Sequence, residues 1–259
     1  MKKIFYFIAT LGMAITAQAQ DTLYFYKDGV MTDKKAVLNV DSVTFSKPKP
    51  AVGDPTIDGY TYPTVTIGTQ VWFAENLRTT KYSDGTAIPL VTDDTAWAAN
   101  YNNSTKLPMM CWYNNDQAAY TSNKYGPLYN WYAVNPITNG GKNVCPTGWH
   151  VPTDAEWTTL SDYLGGKSVA GGKMKTTDIT QWASPNTGAT NSSGFSGNPG
   201  GYRYRDGSFK YIGSNGYWWS SSEYGANYAW FYYLYYYNSN LGKVNFAKSY
   251  GFSVRCLMD

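Results

Sequence analysis

The clearest pattern along the chain is an aromatic alternation near its C-terminal end. Ala229-Trp230-Phe231-Tyr232-Tyr233-Leu234-Tyr235-Tyr236-Tyr237 is an unbroken run of residue types that fit a pleated strand better than a helix. A period of two places Trp230, Tyr232, Leu234 and Tyr236 on one face and Phe231, Tyr233, Tyr235 and Tyr237 on the other. The first face carries Leu234 beside Trp230 and is assigned inward. The second is then an aromatic surface facing water, which a monomeric domain exposes where something binds. Hydroxyls on Tyr233, Tyr235 and Tyr237 argue the same way, because each would need a partner if covered. The alternative, a core strand buried on both faces, stays open. Beyond Tyr237 come Asn238-Ser239-Asn240, then Lys243, Asn245 and Lys248 before Gly251–Cys256. Tyr, Ser, Asn and Gly make antibody-like paratopes: tyrosine gives rigid amphipathic area and the small residues adapt their hydrogen bonds.

Elsewhere the pattern predicts short elements. Leu23 and Phe25 alternate with Tyr24 and Tyr26, Asp28-Gly29 is a turn signal, and Val37–Val40 resumes strand character. This is a small β unit over residues 20–45, followed by a Pro-rich, extended linker over 46–59. The main domain, 60–259, opens with a hairpin, Val65–Phe73, turning at Gly68-Thr69. Thr92-Asp93-Asp94 can start a helix before Trp97, and Tyr125–Val134 reads as aromatic core. The strongest helix signal is Thr153 with Glu156, a capping box, with Trp157, Leu160 and Leu164 on one face and Gly165-Gly166 as the stop. Residues 165–216, rich in Gly, Asn, Ser and Thr, read as loops. Few helices among many loops and short strands indicate an irregular α+β domain.

Composition narrows the function. Residues 1–19 have the form of an export leader: Lys2 and Lys3, an apolar stretch from Ile4 to Ile15, and Ala17-Gln18-Ala19 as a small-x-small cleavage site. That stretch is too short to span a bilayer, and no cysteine follows the site to carry a lipid anchor. The formal charge is +3, and without Lys2 and Lys3 it is 19 basic against 18 acidic side chains. No electrostatic case for nucleic acid arises. His150 is the single histidine, so neither a triad nor a histidine-rich metal site can be built; a hydrogen-bonded structural imidazole is expected. Asp154 and Glu156 are assigned to the helix N-terminus rather than to acid/base chemistry. Gly171-Gly172 and Gly200-Gly201 lack a following Lys-Ser/Thr and do not cradle phosphate. No catalytic residue, metal or cofactor is expected. Three cysteines in an exported chain suggest one pair and one leftover, and the apolar setting of Cys111 suits a buried free thiol.

Five ordered motifs carry a family resemblance: Ile67-Gly-Thr-Gln-Val-Trp-Phe-Ala-Glu-Asn-Leu77, Gly126-Pro-Leu-Tyr-Asn-Trp-Tyr-Ala-Val134, Val144-Cys-Pro-Thr-Gly-Trp-His-Val-Pro-Thr-Asp-Ala-Glu-Trp157, Gly216-Tyr-Trp-Trp-Ser-Ser-Ser-Glu223 and Gly251-Phe-Ser-Val-Arg-Cys256. Together they resemble the Fibrobacter succinogenes major paralogous domain over about residues 60–257. The resemblance implies a C-type-lectin-like fold, of the broad type of formylglycine-generating enzymes, and export from a Bacteroidetes-like bacterium. It also implies a Cys145–Cys256 disulfide, which would close a loop worth up to ~4.7 kcal/mol in the chain-entropy model. The C-terminus further resembles variable proteins diversified by retroelements, with Ala229-Trp230, Leu234, Lys248 and Gly251–Cys256 as fixed frame. There, randomised AAC codons become NNC, which can encode Tyr, Phe, Asn, Ser or Gly but never Trp or Lys. The resemblance departs in two places. The Glu-Pro-Asn, Gln-Pro-Asp and Trp-Asn-Asp signatures of calcium-dependent sugar sites are missing, and so is the reactive C-terminal cysteine pair of the formylglycine-generating enzymes.

Pattern and resemblance converge on an exported, non-enzymatic protein, extracellular, at the cell surface or periplasmic, binding a protein or glycan through residues 224–250. The expected contact set is Asn227, Tyr228, Phe231, Tyr233, Tyr235, Tyr237, Asn238, Asn240, Asn245, Phe246, Ser249 and Tyr250. The competing readings are an enzyme of the formylglycine-generating type and a structural surface or pilus component.

Overall fold

The computed structural model describes residues 54–102, 106–122 and 124–259, together with the backbone of four strands nearer the N-terminus. The chain divides into two units, Met1–Val52 and Gly53–Asp259. The first holds an antiparallel sheet in chain order, β1 (Phe5–Ala9), β2 (Met13–Gln18), β3 (Thr22–Lys27) and β4 (Val30–Ala36). β3 spans the alternation at Leu23–Tyr26 and pairs antiparallel with β4, which begins earlier than the strand expected at Val37. β1 and β2 fall within the stretch read as an export leader, and the strand expected at Val37–Val40 lies outside the described residues.

The second unit begins inside the expected linker: Asp54 accepts from the Thr64 hydroxyl at 2.8 Å. Two hairpins follow, β5 (Thr56–Ile57) with β6 (Tyr60–Thr61), and β7 (Thr64–Ile67) with β8 (Gln70–Phe73). α1 (Asp94–Asn102) starts where Asp93 accepts from the Ala96 amide at 2.7 Å. Next come β9 (Met110–Cys111), α2 (Gln117–Ser122), β10 (Leu128–Tyr129), α3 (Trp131–Val134) and β11 (Trp149–His150). The aromatic stretch 125–134 is buried throughout, as its composition requires.

α4 (Asp154–Tyr163) has the complete capping box of Thr153 and Glu156, and buries Trp157 and Leu160. α5 (Lys167–Met174) overturns the loop reading that Gly171-Gly172 suggested. These glycines are there for close approach: a Cβ on Gly171 would stand 2.2 Å from the Asn240 carbonyl oxygen, and one on Gly172 2.4 Å from that of Gly188. A hairpin also emerges from the expected loops, β12 (Gly200–Arg203) with β13 (Phe209–Ile212). Last come β14 (Asn215–Gly225), β15 (Tyr228–Tyr235), β16 (Leu241–Ala247) and β17 (Leu257–Met258). The arrangement is α+β and loop-rich, with sheet orders β11-β17-β8-β7 and β14-β15-β16.

The β14-β15-β16 sheet separates two packed clusters. On one side Tyr232 and Leu234 join Trp157, Leu160, Met174 and Trp218, with Tyr232 stacked on Trp157 at 4.8 Å. On the other, Phe231 joins Trp219, Tyr217, Tyr250 and Phe252.

A fold with so much irregular backbone must satisfy buried carbonyls without a ladder. Buried cations do this. Arg255 is fully buried and donates to the carbonyls of Phe73, Phe195 and Ser196 at 2.6–2.9 Å, and to the Asn76 side chain at 2.8 Å. Arg203, also fully buried, donates to Val91, Thr92 and Gly207 carbonyls and pairs with Asp94 at 2.7 Å. Lys175 gives its three protons to the carbonyls of Thr187, Tyr235 and Asn238. Cys145 and Cys256 form a disulfide that ties the segment before β11 to the start of β17, and Cys111 is a buried free thiol. Burial pushes that thiol up to about 12, so it stays protonated and unreactive.

Candidate functional site

The register of β15 decides which side chains can meet a ligand. Phe231 lies opposite Trp219 and Val244, and Tyr233 opposite Tyr217 and Gly242. The inward assignment of Tyr232 and Leu234 holds, since both are fully buried. The outward assignment of the alternate face does not hold along its length. Phe231 is 1 % exposed, packed 4.6 Å from Phe252 and 5.0 Å from Phe246. Tyr250 and Ser249 are buried as well, Tyr250 between Tyr204 at 4.9 Å and Phe246 at 4.9 Å. Phe231 and Tyr250 cannot be open contact residues, because Phe246, Phe252 and the Tyr202 and Tyr204 rings of the β12–β13 hairpin pack around them, while Ser249, 2 % exposed, only edges a cavity. Asn245 departs for another reason. Opposite Trp230 on β16, it points to the side away from its neighbour Phe246.

The face opens progressively toward its C-terminal end. Tyr233 and Tyr235 are half-buried and Tyr237 is 53 % exposed. Their rings form a shingled run, Tyr233 to Tyr235 at 4.6 Å and 35°, Tyr235 to Tyr237 at 5.2 Å and 30°, within the range of favourable offset stacking. The run rests on a glycine. Three ring atoms of Tyr233 lie 2.0–2.5 Å from where a Cβ of Gly242 would stand, which requires the ring to lie flat over the backbone of β16. β15 ends at Tyr235, so Tyr236 and Tyr237 belong to the turn that leads to Asn238 and Asn240. Main-chain contacts fix that turn: Tyr236 donates to the Ser214 carbonyl at 3.0 Å, Thr187 to that of Tyr236 at 2.7 Å, and Gly172 to that of Ser239 at 3.0 Å. Lys175 closes it from below.

Two cavities result where one patch was expected. A groove of about 480 Å³ runs along Tyr233, Tyr235, Tyr237, Asn238 and Asn240, with Lys167 and Ser168 of α5 on its far wall. At the other end of β15, a cavity of about 310 Å³ brings Asn227, Tyr228 and Ser249 beside Tyr101, Lys106 and Tyr132. Phe246, 36 % exposed, lines neither. Sequence reasoning missed Lys167 and Ser168 because α5 was read as loop. It also missed the covering hairpin, whose signal was present: Tyr202-Arg203-Tyr204-Arg205 alternates into an Asp206-Gly207 turn.

The groups weighed for chemistry are all engaged. His150 lies between two carboxylates, Nδ1 2.6 Å from Asp259 and Nε2 3.0 Å from Glu156. The Glu156 hydrogen bond holds the imidazole above its ordinary pKa. Glu156 is held down to about 2, against its partial burial, by hydrogen bonds from His150 and Thr153. Asp154 accepts from the Tyr232 hydroxyl at 2.8 Å and pairs with Lys243 at 2.7 Å. Among the described residues no group of three or more His, Cys, Asp or Glu side chains comes together. No helix among them is long and apolar enough to cross a membrane.

A disulfide-closed, loop-rich α+β unit with a tyrosine-lined groove at its C-terminal ribbon thus defines the kind of protein this is. The family model of the Fibrobacter succinogenes major domain matches residues 65–258, and the chain belongs to that family. Neither the curated proteins nor the solved structures give a match.

Proposed function

We propose that the protein is an exported, non-enzymatic ligand-binding protein of receptor or adhesin type, on a C-type-lectin-like scaffold, with its site at the Tyr233–Asn240 end of the ribbon. The shingled tyrosine run carries this reading. Its rings are held by each other, by Gly242 and by a backbone-anchored turn before any ligand arrives. Little side-chain entropy is then lost on binding. The anchoring uses main-chain atoms of residues 235–239, so side chains there can change without loss of the anchor, as retroelement diversification would require. The disulfide suits an oxidising compartment. The enzymatic alternative has less support: Cys256 is bonded, Cys111 is buried, and His150 is tied between carboxylates.

The test is a printed array of extracellular glycans and proteins probed with the purified chain and with a Tyr235→Ala/Tyr237→Ala variant. The reading expects a defined set of positive spots that the variant loses while its melting temperature falls only slightly. A variant that keeps the same spots would move the site elsewhere.

A further inference from the structure

We infer that the groove between α5 and the β15–β16 turn takes an acidic saccharide, with sugar C–H faces on the tyrosine run and the acid group toward Lys167. This rests on the ligand-binding reading above and gives it a chemical class.

Size comes first. A standard protein interface takes about 800 Å² from each partner. Burial of Phe231 and Tyr250 leaves two separate cavities where one continuous tyrosine face was expected. At about 480 Å³ the groove has the scale of a small-molecule pocket. Its lining chemistry comes next. Tyrosine hydroxyls and the Asn238 and Asn240 amides both donate and accept, which suits a ligand covered in hydroxyls. The electron-rich faces of the rings attract the weakly positive C–H edges of a pyranose.

Charge decides between a neutral and an acidic sugar. No carboxylate lines the groove. Lys167 is exposed at its rim, and no ion pair of it occurs among the described residues. Lys175 lies fully buried, its ammonium on the carbonyls of Tyr235 and Asn238, which belong to groove-lining residues, with no carboxylate beside it. Lys243 also lines the groove but adds little charge, because Asp154 matches it and its ammonium sits 4.1 Å over the Trp230 ring. The groove therefore carries an uncompensated positive field, which concentrates anions.

A uronate carboxylate and a sulfate ester both satisfy this chemistry, and calorimetric titration of the full chain separates them. One pair of probes is an oligogalacturonate and its methyl ester; the other is a sulfated galactan oligosaccharide and its desulfated form. At least one acidic member should bind, roughly tenfold or more tighter than its neutral counterpart, and weaken with added salt. Lys167→Gln should weaken it by roughly fivefold, the scale of a half-exposed ion pair, and Lys167→Arg should restore it. Tyr237→Ala should cost roughly tenfold; both residues are exposed, and a thermal melt of each variant shows that it is folded. Equal binding of neutral and acidic forms, or no saccharide binding at all, overturns the class. In that event an array ligand lost on Tyr235→Ala/Tyr237→Ala leaves the ligand-binding reading standing, and an array pattern those substitutions leave unchanged removes both.

Discussion

Phe231 and Tyr237 lie six residues apart on the same alternate series, yet one is core and the other is surface. Phe231 is covered by Phe252, Trp219 and Phe246, whereas Tyr237 touches Tyr235 and Tyr236 and otherwise faces the groove. Tyr233 and Tyr235 grade between them. Cover sets the gradient, not the hydroxyl: Trp219, Phe246 and Phe252 close over Phe231, while Tyr232 of the same strand is fully buried with its hydroxyl on Asp154. The hydroxyls of Tyr233, Tyr235 and Tyr237 suit the less covered positions they occupy. One alternate series can thus be buried scaffold at one end and open surface at the other.

The comparison breaks most visibly at its buried end. Phe231→Ala should cost about 3–5 kcal/mol in urea unfolding, and a loss below about 1 kcal/mol would mean that the cover over it is loose. Removing the Cys145–Cys256 bridge by a double alanine substitution should cost about 2–5 kcal/mol. Because Cys256 follows directly on the Phe252–Arg255 cover, amide exchange should rise there before it rises at Tyr237.

Tyr233→Ala belongs between the extremes, at about 1–2 kcal/mol, since its ring packs on Gly242 and Tyr235 but is only half-buried. A purely exposed row would have put this loss near zero.

A smaller stability effect is pH-dependent and lies outside the strand. His150 is held above its ordinary 6.5, so its contribution is complete below about 6.5 and fades as pH rises through the raised value. Glu156, held at about 2 against an ordinary 4.5, contributes above about 4.5 and loses this as pH falls toward 2. The clamp is strongest between those limits. His150→Gln should cost about 1 kcal/mol near pH 5.5, discounted for partial exposure, and less near pH 8.5; chemical melts at the two pH values decide it.

Much of the scaffold was legible in the chain because its signals are local. The α4 capping box, the Gly68-Thr69 hairpin turn and the two-residue period of β15 all follow from neighbours in sequence. The disulfide came from family resemblance, since spacing alone does not choose among three cysteines. What was not legible depends on distant partners. Period two assigns residues to faces but does not say what covers them, and Phe231 is covered by residues 12 or more positions away in sequence. α5 was hidden because Gly171-Gly172 looks like a loop until the 239–240 backbone is seen against it. Lys175 gave no signal: an isolated lysine becomes a buried clamp only when three carbonyls converge on it.

The most direct test of this divided face is one series of three variants, Phe231→Ala, Tyr233→Ala and Tyr237→Ala, each measured by urea unfolding and by binding to the array-selected ligand. Stability loss should fall in that order, from about 3–5 kcal/mol to about 0.5 kcal/mol or less at the exposed Tyr237, while loss of binding per folded molecule should be greatest at Tyr237. If Tyr237→Ala destabilises as much as Phe231→Ala, or leaves binding untouched, the open end is not a site and the account is wrong.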